Sequence, residues 1–146
     1  MLSCLTAMST RRKVAILVEE GYQDLELWHP LLRLREEGVP VVVVGPEADK
    51  TYLSELEFPI VPDAGIAQVK GADFGAVMVS GGSSASRIAE NERMVAFIKD
   101  AKASGAVLAA ISIGTKAFSA AGAKSNVSAA DTDALPEFCK RLLQAL

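Results

Sequence analysis

Val107-Leu108-Ala109-Ala110-Ile111-Ser112-Ile113-Gly114 is a run of five aliphatic residues that stops at a serine and, two positions on, a glycine. A run this short, continuous rather than alternating, predicts a strand over Val107 to Ile111 buried on both faces. A helix is expected from about Thr115 to Ala121. Ala110-Ile111-Ser112-Ile113-Gly114 therefore resembles a nucleophile elbow, the sharp strand-to-helix turn that holds a small side chain above the end of a sheet.

The same signature recurs outward from this stretch. Val14 to Val18, Val39 to Gly45 and Ala76 to Val79 are further apolar runs bounded by charge, Gly or Pro, and each predicts a buried strand. Between them, Leu25, Trp28, Leu31, Leu32 and Leu34 make one wide apolar helix face, with a kink expected at Pro30 and a cap at Gly38. Asn91 to Ser104 predicts a helix that buries Met94, Val95, Phe97 and Ile98. Leu135, Phe138, Cys139, Leu142, Leu143 and Leu146 recur with helical period. Residues 46–74, with Pro46, Pro59, Pro62 and Gly65, break the alternation and predict an extended excursion or hairpin. Buried strands alternating with helices imply a parallel sheet covered on both faces, a doubly wound α/β fold.

At 146 residues the chain holds one domain, expected over 14–146 behind a disordered leader, 1–13, in which Met8 is an alternative start. Half the residues are hydrophobic and 23% charged, which excludes global disorder. A net charge of −3 leaves no basic field for nucleic acid. The apolar runs fall far short of the roughly 18 residues that span a bilayer, so a soluble protein without membrane contact is expected. Cys4 and Cys139 have no neighbours at metal or redox spacing. Neither a metal nor a cofactor is expected, and Cys139 reads as a packing residue on its apolar stripe.

In such folds ligands bind beyond the carboxyl ends of the strands. The segments in question are Glu19 to Asp24, Ser80 to Ser86 and Ser112 to Thr115. The acidic first segment would suit a phosphoacceptor pocket only with an aspartate ending the third strand, where Ser80-Gly81-Gly82 stands instead. Ser80-Gly81-Gly82-Ser83-Ser84 can cradle an anion or oxyanion with its amides, or simply make a tight turn. It lacks the lysine of a P-loop and the spaced glycines of a dinucleotide site. Ser112 would need a base, and the one histidine, His29, lies beside Pro30 as a packing or subunit-contact residue. An ordinary serine hydrolase is disfavoured.

Lys13-Val14-Ala15-Ile16-Leu17-Val18-Glu19-Glu20-Gly21-Tyr22-Gln23-Asp24-Leu25-Glu26-Leu27, Ala76-Val77-Met78-Val79-Ser80-Gly81-Gly82, the elbow and Asp133-Ala134-Leu135-Pro136-Glu137-Phe138 together resemble the ThiJ/PfpI (DJ-one) superfamily, in its intracellular-protease and general-stress-protein branch. The resemblance implies a flavodoxin-like three-layer α/β/α fold, a cytoplasmic location and a homodimer or higher homo-oligomer. It also implies peptidase, glyoxalase or deglycase chemistry, or redox stress protection. The family's apparatus is an elbow cysteine, a histidine after it, a glutamate from the first strand's loop and amides near the Gly-Gly turn. By the resemblance these fall on Ser112, Ile113, Gln23 and Gly81–Gly82.

Each side chain of that apparatus is replaced. A serine hydroxyl stays protonated where a thiol would ionise, Ile113 accepts no proton, and Gln23 is neutral. The family also carries a few dozen residues after the elbow helix that are missing between Gly122 and Ser125. The sheet is thus expected to be shortened there, with Asn126 to Ala129 the remnant of a strand. Three readings follow: a stress-associated family member without cysteine catalysis, a weak hydrolase or glyoxalase using Ser112, and a module binding a small carbonyl or anionic metabolite.

Overall fold

The computed structural model describes residues 12–146. The expected leader, apart from Arg12 and Lys13, and Met8 with it, lies outside the described residues. The chain runs through β1 (Val14–Leu17), α1 (Asp24–Glu36), β2 (Val41–Gly45), a hairpin of β3 (Tyr52–Leu53) and β4 (Pro59–Ile60), and β5 (Ala64–Gly65). It continues through β6 (Ala76–Val79), α2 (Ser83–Glu90), α3 (Glu92–Ala103), β7 (Val107–Ile111), α4 (Thr115–Ala120), β8 (Val127–Ala129) and α5 (Leu135–Ala145).

Six strands form one parallel sheet in the order β5-β2-β1-β6-β7-β8. Every residue of β1 and β6 is buried, as the unbroken apolar runs require of strands covered on both faces. Val14, Ile16, Met78 and Ile111 pack beneath α1 and α5, against Leu27, Leu31, Phe138 and Leu142. Ala15, Leu17, Val79 and Ala110 face α2, α3 and α4 through Ile88, Phe97, Ile98 and Phe118. The order reverses at β1, with β2 on one side and β6 on the other. Such a switch opens a crevice at the carboxyl ends of the strands.

Helix α1 departs from its expected face. Leu27, Leu31 and Leu34 form the core stripe, whereas Leu25 and Leu32 are 58% and 56% exposed and Trp28 is half-buried. The five apolar residues thus serve two faces, one turned to the sheet and one outward. Pro30, where a kink is expected, lies inside this 13-residue helix.

Beyond α4 the short return to β8 is made self-sufficient by side chains. Asn126 exchanges two bonds with Leu108, its Oδ1 accepting from the Leu108 N–H at 2.8 Å and its own N–H donating to the Leu108 carbonyl. Arg141 of α5 donates to the Ser128 carbonyl, occupying a group the edge strand would otherwise expose.

Candidate active site

Ser112 leaves β7 with φ +53° and enters a single 3₁₀ turn, Ser112–Gly114, ahead of α4. Among the described residues only Glu57 is another non-glycine with positive φ. The left-handed region costs an L-residue roughly 1–2 kcal/mol, so packing must hold the turn. A Cβ on Gly114 would lie 2.2 Å from the Val79 carbonyl oxygen, which shows how closely the elbow backbone is pressed on the end of β6. The sharp turn expected at Ala110 to Gly114 is present.

Gly81 is the wall shared by two functional groups. A Cβ there would lie 2.4 Å from Glu26 Oε1, 3.1 Å from Ser112 Cβ and 3.4 Å from Ser112 Oγ. A carboxylate oxygen and the elbow hydroxyl are thus both within 3.4 Å of one point. Glu26 Oε1 accepts from the Gly81 N–H at 2.8 Å, and the residue is only 6% exposed. Burial pushes the Glu26 carboxyl above its ordinary range; the Gly81 bond opposes this, and the charges of Glu55 and Asp131 reinforce it.

Sequence reasoning missed Glu26 and looked to Gln23. In the structure Gln23 acts locally, as the N-cap of α1, where its Oε1 accepts from the Glu26 N–H at 2.9 Å. A signal for Glu26 was available. It follows the same helical face as Pro30 and Leu34, and a carboxylate on an apolar face stays only where it has a partner.

The Gly-Gly segment makes a tight turn, one of the two readings its sequence allows. The Gly81 amide is occupied by Glu26, so it is not a free oxyanion donor. Gly82, with φ +86° and ψ 177°, stands where a Cβ would meet the Gly21 carbonyl oxygen at 2.3 Å and Glu55 Oε1 at 2.9 Å, a conformation essentially reserved for glycine. Ser84 Oγ accepts from the Glu19 N–H, and Ser80 Oγ is buried without a hydrogen-bond partner among the described residues. Ile113, next to the nucleophile position, is 39% exposed.

The remaining candidates lie apart from this arrangement. His29 is exposed on α1. Cys139 is 1% exposed, and burial, opposed by the nearby Arg33, pushes its thiol up to about 11. Among the described residues no group of three His, Cys, Asp or Glu side chains is placed to hold a metal ion, and no helix is long and apolar enough to cross a membrane.

Comparison with known proteins agrees with this architecture. An uncharacterised protein of Archaeoglobus fulgidus is 37% identical over 99 residues, 68% of this chain and 58% of that protein. A protein of Thermococcus kodakarensis named a deglycase is 32% identical over 110 residues, 75% of this chain and 66% of its own length. A Bacillus subtilis protein named a putative cysteine protease is 30% identical, over 60% of this chain and 52% of that protein. The chain therefore spans less than two-thirds of these relatives. A DJ-1 superfamily protein from Salmonella typhimurium superposes with a TM-score of 0.80 at 21% identity, covering 91% of both chains, a likeness of fold. The model of the DJ-1/PfpI family matches residues 12–130, a range that takes in β1, the Gly-Gly turn, the strained elbow and β8; the chain belongs to the DJ-1/PfpI family.

Proposed function

We propose that this chain keeps the family's cleft while lacking its cysteine-dependent chemistry, and that Ser112 supports a slow hydrolase-type reaction with Glu26 as proton carrier. The observation that carries the reading is the φ of +53° at Ser112: a strained non-glycine residue held at a strand end is the geometry that preorganises a nucleophile. Ser112 Oγ adds to an ester or activated carbonyl while its proton passes to the Glu26 carboxylate. The alkoxide then leaves with that proton, and water, deprotonated by the same carboxylate, releases the acid. The Ile113 and Gly82 amides are the donors assigned to the oxyanion. A carboxylate is a weaker base than the imidazole of a triad, and the reaction is accordingly slow. Ester hydrolysis by the purified protein, lost on Ser112→Ala, tests this; equal rates for the two proteins would overturn it.

Binding without turnover is the second reading. It is favoured by the occupied Gly81 amide, since one lost oxyanion donor costs about 10²–10³ in rate. A small carbonyl compound that raises Tm and is recovered unchanged would support it.

The partner we assign is a second copy of this chain. Leu25, Trp28, Leu32 and Phe58, with Asp24, line an outward groove of about 440 Å³, and Leu56, two positions before Phe58, is 80% exposed. An apolar patch of this kind marks an interaction surface. Sedimentation should show a dimer that Leu25→Glu/Leu32→Glu converts to monomer; a monomeric native chain would sink the assignment. A cytoplasmic, stress-associated role is proposed from the family resemblance alone, and loss of the gene without any change in survival of aldehyde or heat stress would contradict it.

A further inference from the structure

Carboxylates gather about the Gly81–Gly82 turn beside Ser112, and no ion pair among the described residues neutralises them. Glu26 and Glu55 approach the consecutive residues Gly81 and Gly82 from different elements, and Asp131, which caps the turn before α5, is close enough to act on Glu26 by its charge. Among the described residues the ion pairs are Arg33–Glu36, Arg33–Glu37 and Arg35–Asp63. All involve the C-terminal half of α1, and none reaches Glu26, Glu55 or Asp131. Beside the nucleophile stands Ile113, an exposed side chain that offers only apolar contact. Such a border repels a ligand that carries its own negative charge.

Resting on the reading of Ser112 as nucleophile, we infer that Ile113 and Glu55 determine specificity, and that the cleft takes carbonyl compounds with an uncharged apolar substituent in preference to carboxylate- or phosphate-bearing ones. Ile113 supplies contact for the substituent. Glu55 supplies the discrimination, which weakens as salt screens it.

The test compares 4-nitrophenyl butyrate with 4-nitrophenyl hemisuccinate, which differ by a terminal carboxylate, after subtraction of the uncatalysed rates. The expected result is a kcat/KM at least tenfold higher for the butyrate at low salt, a ratio that shrinks at 0.5 M sodium chloride. Glu55→Gln should reduce the ratio several-fold by raising hemisuccinate turnover, and Ile113→Asn should reduce it by lowering butyrate turnover. In parallel, Ser112→Ala protein is titrated with butyramide and succinamate by NMR, where tighter binding of butyramide is expected without any reaction. Equal kcat/KM for the two esters, or a ratio indifferent to both salt and Glu55→Gln, overturns the inference while leaving the Ser112 reading intact. Absence of ester turnover overturns the Ser112 reading instead, and the amide titration then decides the specificity by itself.

Discussion

Ser112 and Cys139 divide between them what a nucleophile needs. Cys139 carries the more reactive atom, but it lies in the regular helix α5, 1% exposed, with its thiol pushed up to about 11 by burial. Ser112 carries the less reactive atom in the better place: a strained turn at the end of β7, partly exposed, with a buried carboxylate across the Gly81 backbone. A thiol buried in apolar surroundings stays inert, whereas one on a partly exposed turn is open to reagents. Position therefore counts for more than element here. The cysteine is a core residue, and the chemistry proposed above is assigned to the serine.

The largest effect should come from moving the sulfur. Ser112→Cys places a thiol on the strained turn, and its alkylation by iodoacetamide at pH 8 should exceed that of Cys139 in the native fold by at least about 100-fold, read by peptide mass. Comparable labelling of the two positions would break the contrast between them.

Removing the carboxylate sharpens it next. Glu26→Gln preserves the bond from the Gly81 N–H but cannot carry a proton, so ester turnover should fall about 10²-fold or more. Because burial raises the Glu26 pKa, native turnover should decline with acid at a midpoint above the usual carboxylate value of 4.5. Stability carries the opposite sign. A carboxyl whose folded pKa is raised contributes stability below its unfolded pKa and loses it as pH rises through the folded value. Glu26→Gln should thus raise Tm by a few degrees at pH 8 and have little effect at pH 4, measured by calorimetry at both values.

A smaller effect tests the strain itself. Ser112→Gly relieves the positive φ at no cost in contacts to the core, and should stabilise the fold by about 1 kcal/mol while abolishing turnover, a pairing that urea titration and the ester assay together can check. Cys139→Ala, by contrast, should destabilise by about 1 kcal/mol and leave turnover as it was. A loss of activity on Cys139→Ala would return the chemistry to the cysteine.

The strands around the elbow were readable because burial on both faces leaves an unbroken apolar run. Ala76–Val79 and Val107–Ile111 were read to the residue. The face of α1 was not, since Leu25 and Leu32, turned outward, have the same composition as Leu31 and Leu34, turned inward, and only the surrounding elements decide which stripe is covered. The hairpin Tyr52–Ile60 was anticipated only as one of two readings of residues 46–74, an extended excursion or a hairpin, and its strands were not placed, because two-residue strands carry no period. At the site, the turn at Ser112 could be read from strand-to-helix chemistry. Its carboxylate could not be read from the loop, because Glu26 comes from within the helix and reaches back beneath the Gly-Gly turn.

The most direct measurement is to treat the native chain with a small uncharged alkyl fluorophosphonate, which phosphonylates an activated serine, and to locate the adduct by peptide mass spectrometry. If Ser112 is the nucleophile and Glu26 its base, a single adduct forms on Ser112, slowed about 10²-fold in Glu26→Gln and absent from Ser112→Ala. Ser112 left unmodified while reagent accumulates on other residues, or an adduct formed equally fast in Glu26→Gln, would contradict it.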